Sequence, residues 1–246
     1  MTEAEAPLLA DRSDRSRRPS GQRSAAWAIV RDVALIVVVS LLISFLVKSF
    51  LVRSFFIPSE SMNATLIEDD RILVNQLIPE LAPVERGDVV VFRDPGGWLP
   101  PNPTEEVSSF AAVGEWVSAL VGLTAPDSDE HLVKRVIGTG GDVVECCNDL
   151  GQLSVNGVPL DESYLRLSPT DGPASLEDFT VEVADGELWV MGDNRNNSAD
   201  SRRNGPVPIS DVVGRAVVVS WPLDRWSWLD NYPLVFDGVD EARGSR

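Results

Sequence analysis

Three serines, at positions 54, 59 and 61, crowd the stretch SFFIPSESMNATL, with a proline and a methionine among them. Neither a helix nor a strand gains from that mixture, so its side chains are candidates for chemistry. A serine hydroxyl is a weak nucleophile until a neighbouring base takes its proton, and histidine is the usual base. The chain has one histidine, His131, in a strand-like run where a structural or surface role is the ordinary reading. Lysine is more informative. There are two, Lys48 and Lys134, and beyond Arg53 arginine fills every basic position except 134. Arginine keeps its proton in a protein, whereas a lysine stripped of water becomes a neutral amine and can act as a general base. Lys134 is therefore a candidate base, with drift in composition as the plain alternative. Its neighbours Leu132, Val133, Val136 and Ile137 are the kind of residues that would exclude water.

Cys146 and Cys147 are the only cysteines, and they are adjacent. Consecutive α-carbons across a trans peptide sit about 3.8 Å apart, below the usual disulfide span of roughly 4.4 to 6.8 Å. A bond between them would be strained, so the pair is read as structural, with an intermolecular or strained redox role as the alternative. One histidine beside two neighbouring cysteines cannot assemble a zinc site of the usual spacing.

These groups need elements to hold them. The segment Val33 to Val47 carries no charge, and with the apolar residues on either side its length suits a membrane span. Arg31 and Lys48 can snorkel from its ends. More basic residues precede it (Arg15, Arg17, Arg18, Arg23, Arg31) than follow it (Lys48, Arg53), which places the N-terminus in the cytoplasm and everything after about Arg53 outside. A cleaved secretory signal is the rival, but KSFLVRSFF lacks a small-x-small exit, so an uncleaved anchor is expected. Residues 1–24, rich in Arg, Ser, Asp and Glu, read as a disordered cytoplasmic tail, residues 25–53 as the anchor and residues 237–246 as a flexible C-terminal tail.

Between the anchor and that tail, residues 54–236 carry short β-type runs broken by turns: RILVNQL, GDVVVFRDP, HLVKRVIG, DVVECC, GELWVMG and GRAVVVSW. In LSVNGVPL, Asn156-Gly157 between two apolar runs predicts a hairpin. The expected fold class is mainly β: an N-terminal transmembrane helix, then an antiparallel β-barrel-like domain. Residues 96–130 interrupt this pattern, and Val107, Phe110, Val113, Trp116, Val117 and Leu120 fit an amphipathic helix. That insert either packs on the barrel, the preferred reading, or lies on a membrane surface. The Trp-rich stretch WPLDRWSWLDNYPLVF poses the same choice.

Charge excludes one class of partner. The formal net charge is −17, but the eight basic and five acidic residues up to Arg53 make the head +3 and leave −20 for the rest. So acidic a body repels phosphates, and nucleic acid is not expected as a partner.

Three segments in order, IPSESMNATL, LVKRVIGTGGD and MGDNRNNSADSR, behind an N-terminal anchor, resemble the signature boxes of bacterial type I signal peptidase, a membrane-anchored Ser/Lys endopeptidase. A fourth segment, RGDVVVFRDP, resembles that family's conserved strand. The resemblance implies that Ser61 is the nucleophile and Lys134 the general base. It gives Ser59 the hydroxyl that assists the Ser61 N–H at the oxyanion, Ser198 the orienting of the lysine amine, and Asp200 with Arg202 a supporting ion pair. Arg135, Gly192 and Asp193 fall on structural positions of the boxes, and Ile57 and Val133 on the small pockets that accept alanine-like residues at −1 and −3. It further implies secretory preproteins as substrates, membrane lipid as a partner, the bacterial cytoplasmic membrane as the location, and no metal or cofactor. Two positions depart from the pattern. Ala64 stands where proline is usual, making the turn after the nucleophile less rigid, and Asn196 where aspartate is frequent.

Rival classes are weaker. A non-catalytic anchored β domain would need neither Ser61 nor Lys134. A repressor-type Ser/Lys peptidase is soluble and carries a DNA-binding module. An S-x-x-K enzyme is ruled out, because Phe45 and His131 stand three residues before the two lysines.

Overall fold

The computed structural model describes residues 21–99, 131–165 and 172–244. The chain forms two units that divide after Leu46. Helix α1 (Gly21–Phe50) contains the stretch Trp27–Phe45, with a mean hydropathy of 2.4 and none of its window buried, and it is long and apolar enough to cross a membrane.

The second unit is built from antiparallel strands. In chain order these are β1 (Val52–Phe56), β2 (Arg71–Asn75), β3 (Val89–Arg93), β4 (His131–Thr139), β5 (Val143–Cys146), β6 (Ser154–Val155), β7 (Val158–Pro159), β8 (Phe179–Glu182), β9 (Glu187–Met191), β10 (Val207–Pro208), β11 (Val212–Trp221) and β12 (Ser227–Trp228). The larger sheet runs β1-β2-β11-β3-β4-β9-β10, with β12 paired to β11, and the smaller runs β7-β6-β5-β8. The large sheet is an open path with β1 and β10 at its edges. It is mainly β and antiparallel as expected, but the barrel is not closed among the described residues.

Side-chain alternation explains the core. In β2, Ile72 and Val74 are buried while their neighbours are half-buried. In β3 the run VVVF is apolar throughout because both faces are covered. Val89 and Val91 pack with Phe55, Ile57, Met62 and Leu66, whereas Val90 and Phe92 pack with Ile78, Val136 and Leu188. Burying each such side chain contributes roughly 1.5–3 kcal/mol. The hairpin between β6 and β7 turns at Asn156 (φ 55°) and Gly157 (φ 83°), both in the left-handed region that a tight two-residue turn requires.

Two expectations meet a different outcome, and a third falls outside the described residues. Cys146 and Cys147 are joined by a disulfide across a cis peptide. The start of the expected tail is ordered by burial: residues Val239–Gly244 are helical, Val239 is fully buried, and Asp240 pairs with Arg86 at 2.8 Å. The amphipathic stretch of the insert lies outside the described residues, which cover only 96–99 of that segment.

Candidate active site

Strand β1 delivers the chain to Ile57, Pro58 and Ser59, after which Glu60–Met62 form one 3-10 turn. Met62 and Leu66 are buried in the core beneath that turn and fix it from below. Ser61 is therefore half-buried, with apolar residues underneath. Its hydroxyl lies 3.2 Å from that of Ser59.

Lys134 comes from the middle of β4, between β3 and β9, where it faces Val90 across the β3 pairing. It is 3% exposed. Its Nζ lies 2.7 Å from Ser61 Oγ, across 73 residues of sequence, and 3.0 Å from the Val133 carbonyl. Both partners are neutral oxygens. Burial pushes the amine down from 10.5 to about 8, against the opposing pull of Asp200 and Asp193.

The loop after β9 closes the site. The Asn194 N–H donates to the Ser61 carbonyl at 3.0 Å, and its side-chain amide donates to the Glu60 carbonyl at 3.1 Å. Asn197 donates to the Glu60 carboxylate at 3.2 Å. Gly192 leaves no room for a side chain, since a Cβ there would collide with the Ser61 carbonyl and with Ser198.

Two buried ion pairs hold that loop. Asp193 receives Arg135 Nε at 2.9 Å and Nη2 at 2.8 Å, with both side chains wholly buried, and it also accepts the Thr65 hydroxyl. The Arg135 guanidinium lies over the rings of Tyr164 and Tyr232, at 4.2 and 5.4 Å. Asp200 receives Arg202 Nε and Nη2, both at 2.8 Å, and the Gly192 N–H at 3.0 Å. Burial works against its charge, but Arg202 and that amide hold the carboxyl below its ordinary range. Removing one member of such a pair strands a buried charge, at about 3–5 kcal/mol.

The geometry thus brings Ser59, Ser61 and Lys134 together and pairs Asp200 with Arg202. Ile57 is buried and Val133 half-buried, in one apolar cluster beside the turn. Ser198 does not reach the lysine in this geometry: its hydroxyl is buried near Gly192. Sequence reading missed Thr65, Asn194, Asn197, Tyr164, Tyr232 and the buried pair of Arg195 with Glu162. The asparagines were visible in the third box, but the others act over long separations that no local pattern signals.

The family described as signal peptidase, peptidase S26, matches residues 30–221. Signal peptidase I of Mycobacterium tuberculosis H37Rv is 35% identical over 229 residues, covering 83% of this chain and 76% of the relative. Signal peptidase I of Leptolyngbya laminosa is 36% identical over 169 residues, 69% of this chain and 68% of the relative. Signal peptidase I P of Bacillus subtilis subsp. natto is 32% identical over 195 residues, 77% and 88% respectively. A crystal structure of a signal peptidase I from Enterococcus faecalis V583 shares 26% identity, with a TM-score of 0.36 over 54% of this chain and 96% of that one. By the extent of the family match and of these identities, the chain belongs to the signal peptidase family, peptidase S26.

Proposed function

We propose that this chain is a membrane-anchored serine endopeptidase that cleaves signal peptides from secretory preproteins, after small-x-small motifs, at the outer face of the bacterial cytoplasmic membrane. The observation that carries the reading is the 2.7 Å approach of the buried Lys134 amine to the Ser61 hydroxyl. The neutral amine takes the Ser61 proton as Oγ attacks the scissile carbonyl carbon. The oxyanion of the tetrahedral intermediate is met by the Ser61 N–H and the Ser59 hydroxyl, and one such donor commonly contributes about 3 kcal/mol. Collapse breaks the C–N bond, and the Lys134 ammonium returns its proton to the departing amine. Lys134 then deprotonates a water molecule, which hydrolyses the ester on Ser61.

The other assignments follow the same reading. On this reading Ser198 orients the amine once its buried hydroxyl turns from its place beside Gly192 toward Lys134. Asp200 and Arg202 support the loop, and Ile57 and Val133 line the pockets for small side chains. Helix α1 anchors the chain with its N-terminus in the cytoplasm, and residues 54–236 form the extracytoplasmic domain. Trp221, Trp226 and Trp228 are 52, 54 and 76% exposed and form the edge at which this domain meets lipid.

A preprotein cleavage assay in detergent, with chelator present, tests the reading. Wild type cleaves, while Ser61→Ala, Lys134→Ala and Lys134→Arg do not. Full activity in any of the three, or dependence on added metal, removes the mechanism. A protein that functions unimpaired with Ser61 replaced would instead be the non-catalytic binding domain.

A further inference from the structure

We propose that Asn194 is a positioning residue for the reaction, holding the peptide whose N–H serves as the backbone donor to the oxyanion. The inference rests on the reading of Ser61 as nucleophile and deepens it. A peptide unit is planar, and in the trans form its C=O and N–H leave from opposite edges. Fixing the Glu60 carbonyl therefore fixes the direction of the Ser61 N–H. That carbonyl receives two donors: the Asn63 N–H at 2.9 Å from inside the turn, and the Asn194 side-chain amide at 3.1 Å from the loop after β9. The next carbonyl along, that of Ser61, receives the Asn194 N–H at 3.0 Å. One residue thus grips two successive carbonyls, Glu60 on the N-terminal side of the nucleophile and Ser61 itself.

Asn194 can do this because the residues before it are anchored. Asp193, immediately before it, is locked by two hydrogen bonds from the buried Arg135 guanidinium and one from Thr65. Gly192, before that, lies directly against the Ser61 carbonyl. The turn itself is a single 3-10 turn of three residues, too short to hold its own peptide planes against rotation. Donation into the carbonyl also polarises the amide, which strengthens its N–H as a donor. The effect belongs to the transition state, where negative charge first reaches that N–H, and not to substrate binding.

The test uses the full-length protein in detergent and a fluorogenic peptide with a small-x-small site. Asn194→Ala removes the amide, and Asn194→Asp keeps its shape without the donor. Both lower kcat by about 10- to 100-fold, less than or equal to the loss from deleting an oxyanion donor outright. KM stays within twofold, and in Asn194→Ala, which adds no charge, the acid limb of the pH profile stays in place. Affinity for a peptide aldehyde, whose adduct carries the tetrahedral oxygen, weakens by the factor lost in kcat/KM. A kcat within threefold of wild type in both variants, a loss carried by KM, or a displaced acid limb in Asn194→Ala overturns the proposal. Ser61→Ala separates the two levels. If it is inactive while Asn194→Ala is fully active, this inference alone fails; if Ser61→Ala is active, the proposed function fails with it.

Discussion

Lys134 and Arg135 are consecutive residues of β4, both buried, and only one has a carboxylate partner. Arg135 is matched by Asp193 through two hydrogen bonds at 2.9 and 2.8 Å, whereas the Lys134 amine meets the neutral oxygens of Ser61 and Val133. Consecutive strand residues point to opposite faces, so one strand presents a permanently charged brace on one side and a poorly solvated amine on the other. The brace holds the loop around Ser61, and the amine is left free to lose its proton.

The first consequence is a pH dependence with a definite sign. Lys134 works only as the free amine, and its value near 8 makes protonation the acid limb. kcat/KM therefore rises tenfold per pH unit below about 8 and levels off above it. Asp200 pulls the value upward, so Asp200→Asn moves the midpoint to lower pH. A rate profile measured from pH 6 to 10 on both proteins checks the position and the direction.

A second consequence concerns stability. Between pH 8 and 10.5 the unfolded chain binds a proton at residue 134 that the folded chain has released, so this site makes stability rise with pH across that window. Below it, the buried charge costs the folded state on the order of 3 kcal/mol. Lys134→Met should be inactive yet more stable than wild type at pH 7, with the gap closing as pH rises past 10. Denaturant midpoints at the two pH values decide it.

Ala64 yields a third. Its φ of 118° lies in the region that favours glycine, at the corner of the turn closed by the hydrogen bond from Thr65 N–H to the Met62 carbonyl at 3.0 Å. Proline, fixed near −65°, cannot take that place. The turn is pinned by Thr65 on Asp193. Ala64→Gly should raise stability by about 1 kcal/mol, and Ala64→Pro should lower it by about 2 kcal/mol or more and reduce activity. Thermal melts and the cleavage rate give the answer.

Much of this was legible because the chemistry is local. Three contiguous boxes carry Ser59, Ser61, Lys134, Asp200 and Arg202, and alternation of apolar residues gave most of the strands. The failures have physical causes. Strand β1 follows α1 almost at once, so its first residues, Val52 and Arg53, read as the end of the anchor. The ordered C-terminal segment depends on Val239 and Asp240 meeting residues far away in sequence, Asp240 reaching Arg86 across 154 positions. Tyr232 belongs to a stretch that reads equally as interfacial or buried, and only its place beside Arg135 decides between them.

Gly192 provides a fourth prediction. Because a Cβ would strike the Ser61 carbonyl and the Ser198 side chain, Gly192→Ala must displace the nucleophile or the loop. A misplacement on the order of 1 Å can cost about 100-fold in rate. The kcat of Gly192→Ala should fall by at least that factor while its circular dichroism spectrum stays that of the wild type. Near-normal turnover would show that the loop yields.

The most direct test follows from the presence of only two lysines, Lys48 and Lys134, in the entire chain. Lysine labelled with carbon-13 at Cε gives two signals in detergent, and the one missing from Lys134→Arg belongs to residue 134. Titrated by NMR, that signal should move with a midpoint near 8. A midpoint for Lys134 at or above about 10, the ordinary value for an exposed amine, would contradict the account.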